Sequence, residues 1–252
     1  MTADTLVILT GASRGLGQAI AAQYLGQGAF VLGLSRHHAA DLNPSERFEQ
    51  WPVDLADPLP LAARLAAWLA EHEARAHGAL PARVRLIHNA AMLSEPGDIA
   101  GSDPAALAQS LRIGLEAPVA LTAAFLRATS GWVDADRRVL FVSSGLGRRP
   151  MAGSAAYCAQ KAGLDHFARA LALEEATHPH GARVASVAPG IVDTDMQKQL
   201  RGADASRFAA QSTFADFHAN GALDSPASAA GKVIALLERA DYGENPVTDV
   251  RS

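Results

Sequence analysis

The chain has 252 residues, 49% hydrophobic and 19% charged, which excludes a disordered or fibrous protein and suits one large α/β domain. A formal net charge of −4 is too mild for an obligate nucleic-acid partner, and no apolar run approaches the ~20 residues that cross a bilayer. The single cysteine, Cys158, excludes an internal disulfide framework and any multi-cysteine metal site.

The segment Met1-Thr2-Ala3-Asp4-Thr5 has no basic residues, so no signal peptide is expected and a cytoplasmic setting follows. Thr5 to Leu9 is a continuous apolar run, predicting a buried parallel strand. It runs into Thr10-Gly11-Ala12-Ser13-Arg14-Gly15-Leu16-Gly17, then a helical stretch from Gln18 to Leu25. Strand, glycine-rich turn and helix together predict a phosphate cradle, since the glycines allow close backbone approach and the helix N-terminus offers free N–H groups; the alternative is an ordinary glycine-rich βα turn. The spacing is G-x-x-x-G-x-G rather than G-x-G-x-x-G.

Phe30 to Leu34 predicts a second strand, ending at Ser35-Arg36. A carboxylate at this place would hold the ribose of NAD; a hydroxyl and a guanidinium suit the 2′-phosphate of NADP(H), with Arg14 within reach of the same place. The alternative is that Arg36 is only a surface residue at a strand end. His37 and His38 lie in a polar loop with no third convergent ligand and read as surface residues, so no metal site is expected. Trp51 to Leu55 predicts a short third strand, with Asp54 placed to contact the adenine or to cap the next helix. Leu61 to His77 predicts a helix whose stripe Leu61, Leu65, Trp68 and Leu69 faces the core.

Val84 to His88 predicts a fourth strand, followed by Asn89-Ala90-Ala91, small residues that let a cofactor come close, with the Asn89 amide free to pin a neighbouring loop or the ribose. Asp103-Pro104 opens a long helix to Leu126, with a kink or restart expected at Pro118. Val139 to Val142 predicts a fifth strand. A helix follows to about Thr177, then a strand from Val184 to Ala188 closed by Pro189-Gly190-Ile191. Residues 195–222 are less regular, and the segment 191–222 reads as a lid. Pro226 to Arg239 predicts the last helix and Pro246 to Val250 the last strand. The alternation implies a single-domain, Rossmann-like, doubly wound parallel sheet of about seven strands over 1–252, with helices on both faces.

The chemistry concentrates after the fifth strand. Tyr157 and Lys161 stand four apart on a predicted helix, hence on one face. A lysine ammonium beside a phenol favours the phenolate and lowers a pKa that is normally ~10. Ser144, thirteen residues before the tyrosine, sits where a strand hands a side chain to a cleft. With three lysines among 22 basic residues, Lys161 is not one of a crowd. The reading is a Ser/Tyr/Lys proton-transfer site in need of a redox partner.

These residues, in this order and spacing, resemble the short-chain dehydrogenases/reductases over essentially the whole chain. The resemblance implies Tyr157 as general acid/base, Ser144 bonding the substrate oxygen, and Lys161 holding the nicotinamide ribose. Gly11, Ser13, Gly15 and Leu16 would line the pyrophosphate, Asp54, Asn89 and Ala90 the adenosine side, and Pro189, Gly190, Ile191 and Thr194 the nicotinamide. Within the family, Ser186 to Gln197 and Ala117-Pro118 resemble the sepiapterin reductase and benzil reductase branch, which implies NADPH-dependent reduction of a small-molecule carbonyl. Met92, Leu93, Leu146, Met151, Met196, Phe214 and Phe217 would line an apolar pocket or form the lid core. The family also implies a homodimer or homotetramer through helices near 105–127 and 155–177. A non-catalytic NADP-binding regulator and an NAD-dependent alcohol dehydrogenase are the competing readings. Two departures stand out: Ala91 replaces a usual glycine, and Gly114 falls where the family carries an asparagine that holds a relay water behind the lysine. There, either a water fills the gap or proton exchange slows.

Overall fold

The computed structural model describes residues 3–42, 45–76 and 79–251. Met1, Thr2 and the predicted helix end at His77 lie outside them. Strands β1 (Thr5–Thr10), β2 (Phe30–Ser35), β3 (Phe48–Pro52), β4 (Arg83–His88), β5 (Asp136–Val142), β6 (Arg183–Ala188) and β7 (Val247–Asp249) form one sheet in the order β3-β2-β1-β4-β5-β6-β7. Every pairing is parallel. The chain winds outward from β1 to β3, then returns to place β4 on the other side of β1. The crevice above the β1/β4 junction is therefore the switch point where such sheets bind ligands.

The period-2 pattern of β1 splits the core into two layers. Leu6 and Ile8 face the layer built on α2 (Pro58–Ala76), α4 (Ala117–Ala128) and α5 (Ala155–Glu175), with Leu61, Leu65 and Leu69 as expected. Val7 and Leu9 face the layer of α1 (Gly15–Gly26) and α8 (Pro226–Leu237). Ser225 caps α8 by accepting from the Ser228 N–H, and Pro226 occupies its first turn. Among the described residues, no helix is long and apolar enough to cross a membrane.

Three sequence expectations shift. The third strand lies three residues earlier than expected, at Phe48–Pro52, so Asp54 stands two residues beyond its end. The long helix is interrupted before Pro118. Asp103 caps α3 (Pro104–Leu111) through the Ala105 and Ala106 N–H groups, a π-turn spans Arg112–Glu116, and α4 begins at Ala117. Pro118 is the second residue of α4, and Glu116 and Ala117 keep helical angles across the junction, so the restart falls at the proline and the π-turn lies directly before its missing N–H. The less regular segment contains two short helices, α6 (Asp195–Arg201) and α7 (Gln211–Ala219).

Candidate active site

The glycine turn is held by its neighbours. Gly11 has φ +71°, and its N–H donates to Leu34 O at 2.8 Å. A Cβ on Gly17 would overlap the Gly11 carbonyl oxygen, so α1 can close on the turn only with glycine there. Thr10 Oγ1 accepts from the Asn89 and Ala90 N–H groups at 3.0 and 3.1 Å, and Asn89 Nδ2 donates to Thr10 O and Gly11 O, each at 3.2 Å. Of the two tasks open to Asn89, the structure gives its amide the pinning of the turn. Helix α1 begins without a side-chain cap, leaving its first-turn N–H groups without a side-chain acceptor.

Across that crevice, Thr194 Cγ2 would lie 3.5 Å from a Cβ on Gly15, which brings the loop after β6 to the glycine turn. Pro189 is buried and Gly190 has φ +84°, as the reversal after β6 requires. Arg14 reaches across to Asp195, Nη1 to Oδ2 at 2.8 Å, rather than toward β2. Ser35 donates its hydroxyl to His37 O at 2.8 Å, while Arg36 is exposed. Asp54 spends one carboxylate oxygen on the Ala56 N–H at 2.9 Å, which makes it a turn residue ahead of α2.

The residues expected to transfer a proton converge. Ser144 follows β5 and opens a short 3-10 turn, accepting from the Leu146 N–H at 3.2 Å. Tyr157 and Lys161 share one face of α5, with Nζ 5.5 Å from the centre of the phenol ring. Lys161 is 2% exposed and donates to Val142 O at 2.7 Å. Burial pushes Lys161 down from 10.5 to about 8, with Asp165 opposing the shift. Burial also pushes the Tyr157 phenol up to about 12, with the Ser144 hydroxyl working the other way. The lowered phenol pKa expected from the sequence is thus corrected for the protein alone, because desolvation of the ring outweighs the hydrogen bond with Ser144.

Sequence reasoning missed two residues here. Asp165, one turn beyond Lys161 and 2% exposed, accepts from Ser143 Oγ at 2.6 Å, Ser186 Oγ at 2.7 Å and Arg148 Nε at 3.3 Å. The i, i+4, i+8 series Tyr157, Lys161, Asp165 was the available signal. Gln160, fully buried, is the second.

Around Tyr157, Leu93, Leu200, Phe208 and Phe214 form a buried apolar cluster flanked by Leu146, Met151, Met196 and Phe217. Phe208 is fully buried, stacks on Phe214 at 5.8 Å and packs against Gly153. Met92, expected in this pocket, packs instead against the layer of α2 and α4, and Leu93 takes the place beside Tyr157. Among the described residues, no group of three metal-ligating side chains comes together.

A family model described as short chain dehydrogenase matches residues 5–205. A benzil reductase ((S)-benzoin forming) of Bacillus cereus is 31% identical over 96% of this chain and 97% of its own length. The sepiapterin reductase of Mus musculus is 30% identical over 92% of this chain and 91% of its own. The crystal structure of the KRED1-Pglu enzyme superposes with a TM-score of 0.76 at 30% identity, covering 93% of this chain and 95% of that one.

Proposed function

The chain belongs to the short-chain dehydrogenases, a family of oxidoreductases that use a nicotinamide cofactor, and from that premise we propose that it is an NADPH-dependent carbonyl reductase. The observation that carries this reading is the convergence of Ser144, Tyr157 and Lys161 under one apolar cluster. The residues fit the cofactor: the turn at Gly11 to Gly17 has no room for a Cβ at Gly17 and presents uncapped N–H groups. Gly11, Ser13, Gly15 and Leu16 would hold the pyrophosphate, Arg36 the 2′-phosphate, and Pro189, Ile191 and Thr194 the nicotinamide side. A reduced nicotinamide bound there supplies the hydride.

The remaining steps belong to this chain's side chains. The Ser144 hydroxyl donates to the substrate carbonyl oxygen and orients it. Tyr157, a neutral phenol at physiological pH because burial holds its proton, delivers that proton to the same oxygen as negative charge develops there. Lys161, mostly protonated at pH 7 and facing the ring, stabilises the phenolate left behind. The cluster of Leu93, Leu200, Phe208 and Phe214 excludes water and offers no charge to anchor a polar substrate, which suits a hydrophobic or aromatic ketone or diketone.

On the same reading the chain is one nucleotide-binding domain, with 191–222 as the lid. It pairs into a homodimer or homotetramer through helix faces that expose Leu111, Val119 and Leu173. The test is NADPH oxidation against a panel of diketones, quinones, pterins and simple aldehydes, with Tyr157→Phe as control. Turnover of at least one carbonyl that disappears in Tyr157→Phe, with NADPH binding retained, is the expected result. An unchanged rate in that variant overturns the assignment.

A further inference from the structure

Gly114 lies buried in the middle of the π-turn at Arg112–Glu116. A Cβ there would overlap Oε1 of Gln160, so the notch left by the glycine is filled by a side chain from α5. The exchange runs both ways: a Cβ on Gly163 would stand 3.1 Å from the methyls of Leu115. The π-turn and α5 therefore interlock, each glycine receiving the other element's side chain.

Filling a notch does not require an amide. Gln160 is fully buried; its Nε2 donates to Ser110 Oγ at 2.9 Å and to Met92 O at 3.1 Å, and Ser110 Oγ donates to the same carbonyl at 2.9 Å. Its Oε1 has no hydrogen-bond partner among the described residues. A buried acceptor without a partner lowers stability, and a methionine would occupy the same space without that cost while giving up the two Nε2 bonds, so the exchange is close to neutral for stability. A buried amide that adds little net stability points to function. Its position says which function. Gln160 follows Tyr157 by three residues and precedes Lys161, and its anchor, Met92, precedes the Leu93 that packs on Tyr157. One amide thus ties the first turns of α5 to the end of α3 and to the substrate wall.

We propose that Gln160 is a positioning residue: seated in the notch at Gly114, its amide holds the Met92 carbonyl and so sets Tyr157 and Lys161 in register with Leu93. The proposal rests on reading Tyr157 and Lys161 as the proton-transfer pair. The decisive variant is Gln160→Met. With a carbonyl found in the panel, kcat falls about tenfold or more, while the NADPH dissociation constant stays within about twofold and the melting temperature is unchanged or higher. Loss of rate without loss of stability is what a merely structural glutamine would not give.

A swap supplies the second arm. Gly114→Asn alone collides with Gln160 and lowers both melting temperature and kcat; Gly114→Asn with Gln160→Ala relieves the collision and recovers the melting temperature, while kcat stays low because the Gln160 amide is gone. A readout independent of turnover separates this proposal from the reductase reading. The chain has three tyrosines, so 13Cζ-tyrosine labelling gives three NMR signals, the one from Tyr157 assigned by its loss in Tyr157→Phe. That signal shifts in Gln160→Met while those of Tyr24 and Tyr242 stay. A shifted signal with no turnover in the wild type refutes the reductase reading and leaves the positioning role standing. A Gln160→Met protein with an unmoved Tyr157 signal and wild-type kcat overturns the positioning role, as does a double variant whose kcat returns to the wild-type value.

Discussion

Lys161 is a charge held where charge is expensive, and replacing it with methionine exposes that cost. In the fold it is 2% exposed and lowered from 10.5 to about 8, burial being the main cause. At ~1.4 kcal/mol per tenfold change in proton affinity, keeping it protonated at pH 7 costs the folded state ~3.4 kcal/mol. Because the folded value is depressed, the unfolded chain binds more protons between pH 8 and 10.5, and stability gained from this group rises across that window. The penalty is fully present below about pH 8 and is lost as pH climbs through 10.5. By pH 10 about 2.5 of the ~3.4 kcal/mol is recovered. Lys161→Met carries no such penalty, and loses only the bond to Val142 O, roughly 1.5–3 kcal/mol for a charged donor. At pH 7 the variant is therefore at least as stable as the parent. From pH 7 to 10 the parent gains on it by ~2.5 kcal/mol, or roughly 5–10 °C in melting temperature for a chain of this size. Paired thermal melts of the cofactor-free proteins at pH 7, 8, 9 and 10 measure the difference. A gap that does not change with pH, or one that moves against the parent as pH rises, refutes the reasoning.

Arg36→Ala is expected to lose tenfold or more in affinity for NADPH and little for NADH, read by fluorescence titration of each; equal losses would remove Arg36 from the 2′-phosphate site. Gly17→Ala forces a methyl into the Gly11 carbonyl and toward the Asn89 amide, neither of which can retreat without opening the turn. It should lower stability by ~3 kcal/mol and weaken NADPH binding at least tenfold, checked by melts and the same titration. Glu238→Gln removes a carboxylate that receives Arg85 Nε at 2.9 Å, Arg85 Nη2 at 2.6 Å and the Tyr24 hydroxyl at 2.8 Å. With Arg85 fully buried, a loss of ~3 kcal/mol is expected in chemical denaturation, with kcat unchanged.

What the sequence discloses here is what local pattern controls. Thr5 to Leu9 can only be a buried strand, and the glycines after it only a tight turn, because both follow from neighbours a few residues away. Tyr157 and Lys161 are legible together because four residues make one helical turn. The third strand was misplaced because its burial does not alternate cleanly and Trp51-Pro52-Val53 is the more β-like stretch; pairing with Val31 to Ser35 decides it instead. The π-turn was unreadable for a stronger reason. Gly114 acquires its meaning from Gln160, 46 positions later, and nothing near either residue signals the other. Phe208 is similar: an aromatic in a polar stretch, given its role by contact with Gly153 and Phe214.

The ionic cluster of Arg85, Asp136, Arg138, Arg183 and Glu238 ties together the starts of β4, β5 and β6 with the end of α8. Ser144, Tyr157 and Lys161, the groups proposed to react, stand toward the opposite ends of the same strands. Cohesion and chemistry are thus allotted to separate poles of one sheet. A protein built this way can have the loops over Tyr157 rewritten, by selection or by an engineer seeking a new ketone, while the opposite pole keeps the scaffold intact. Its capacity to acquire new substrates is rooted in a cluster that no substrate touches.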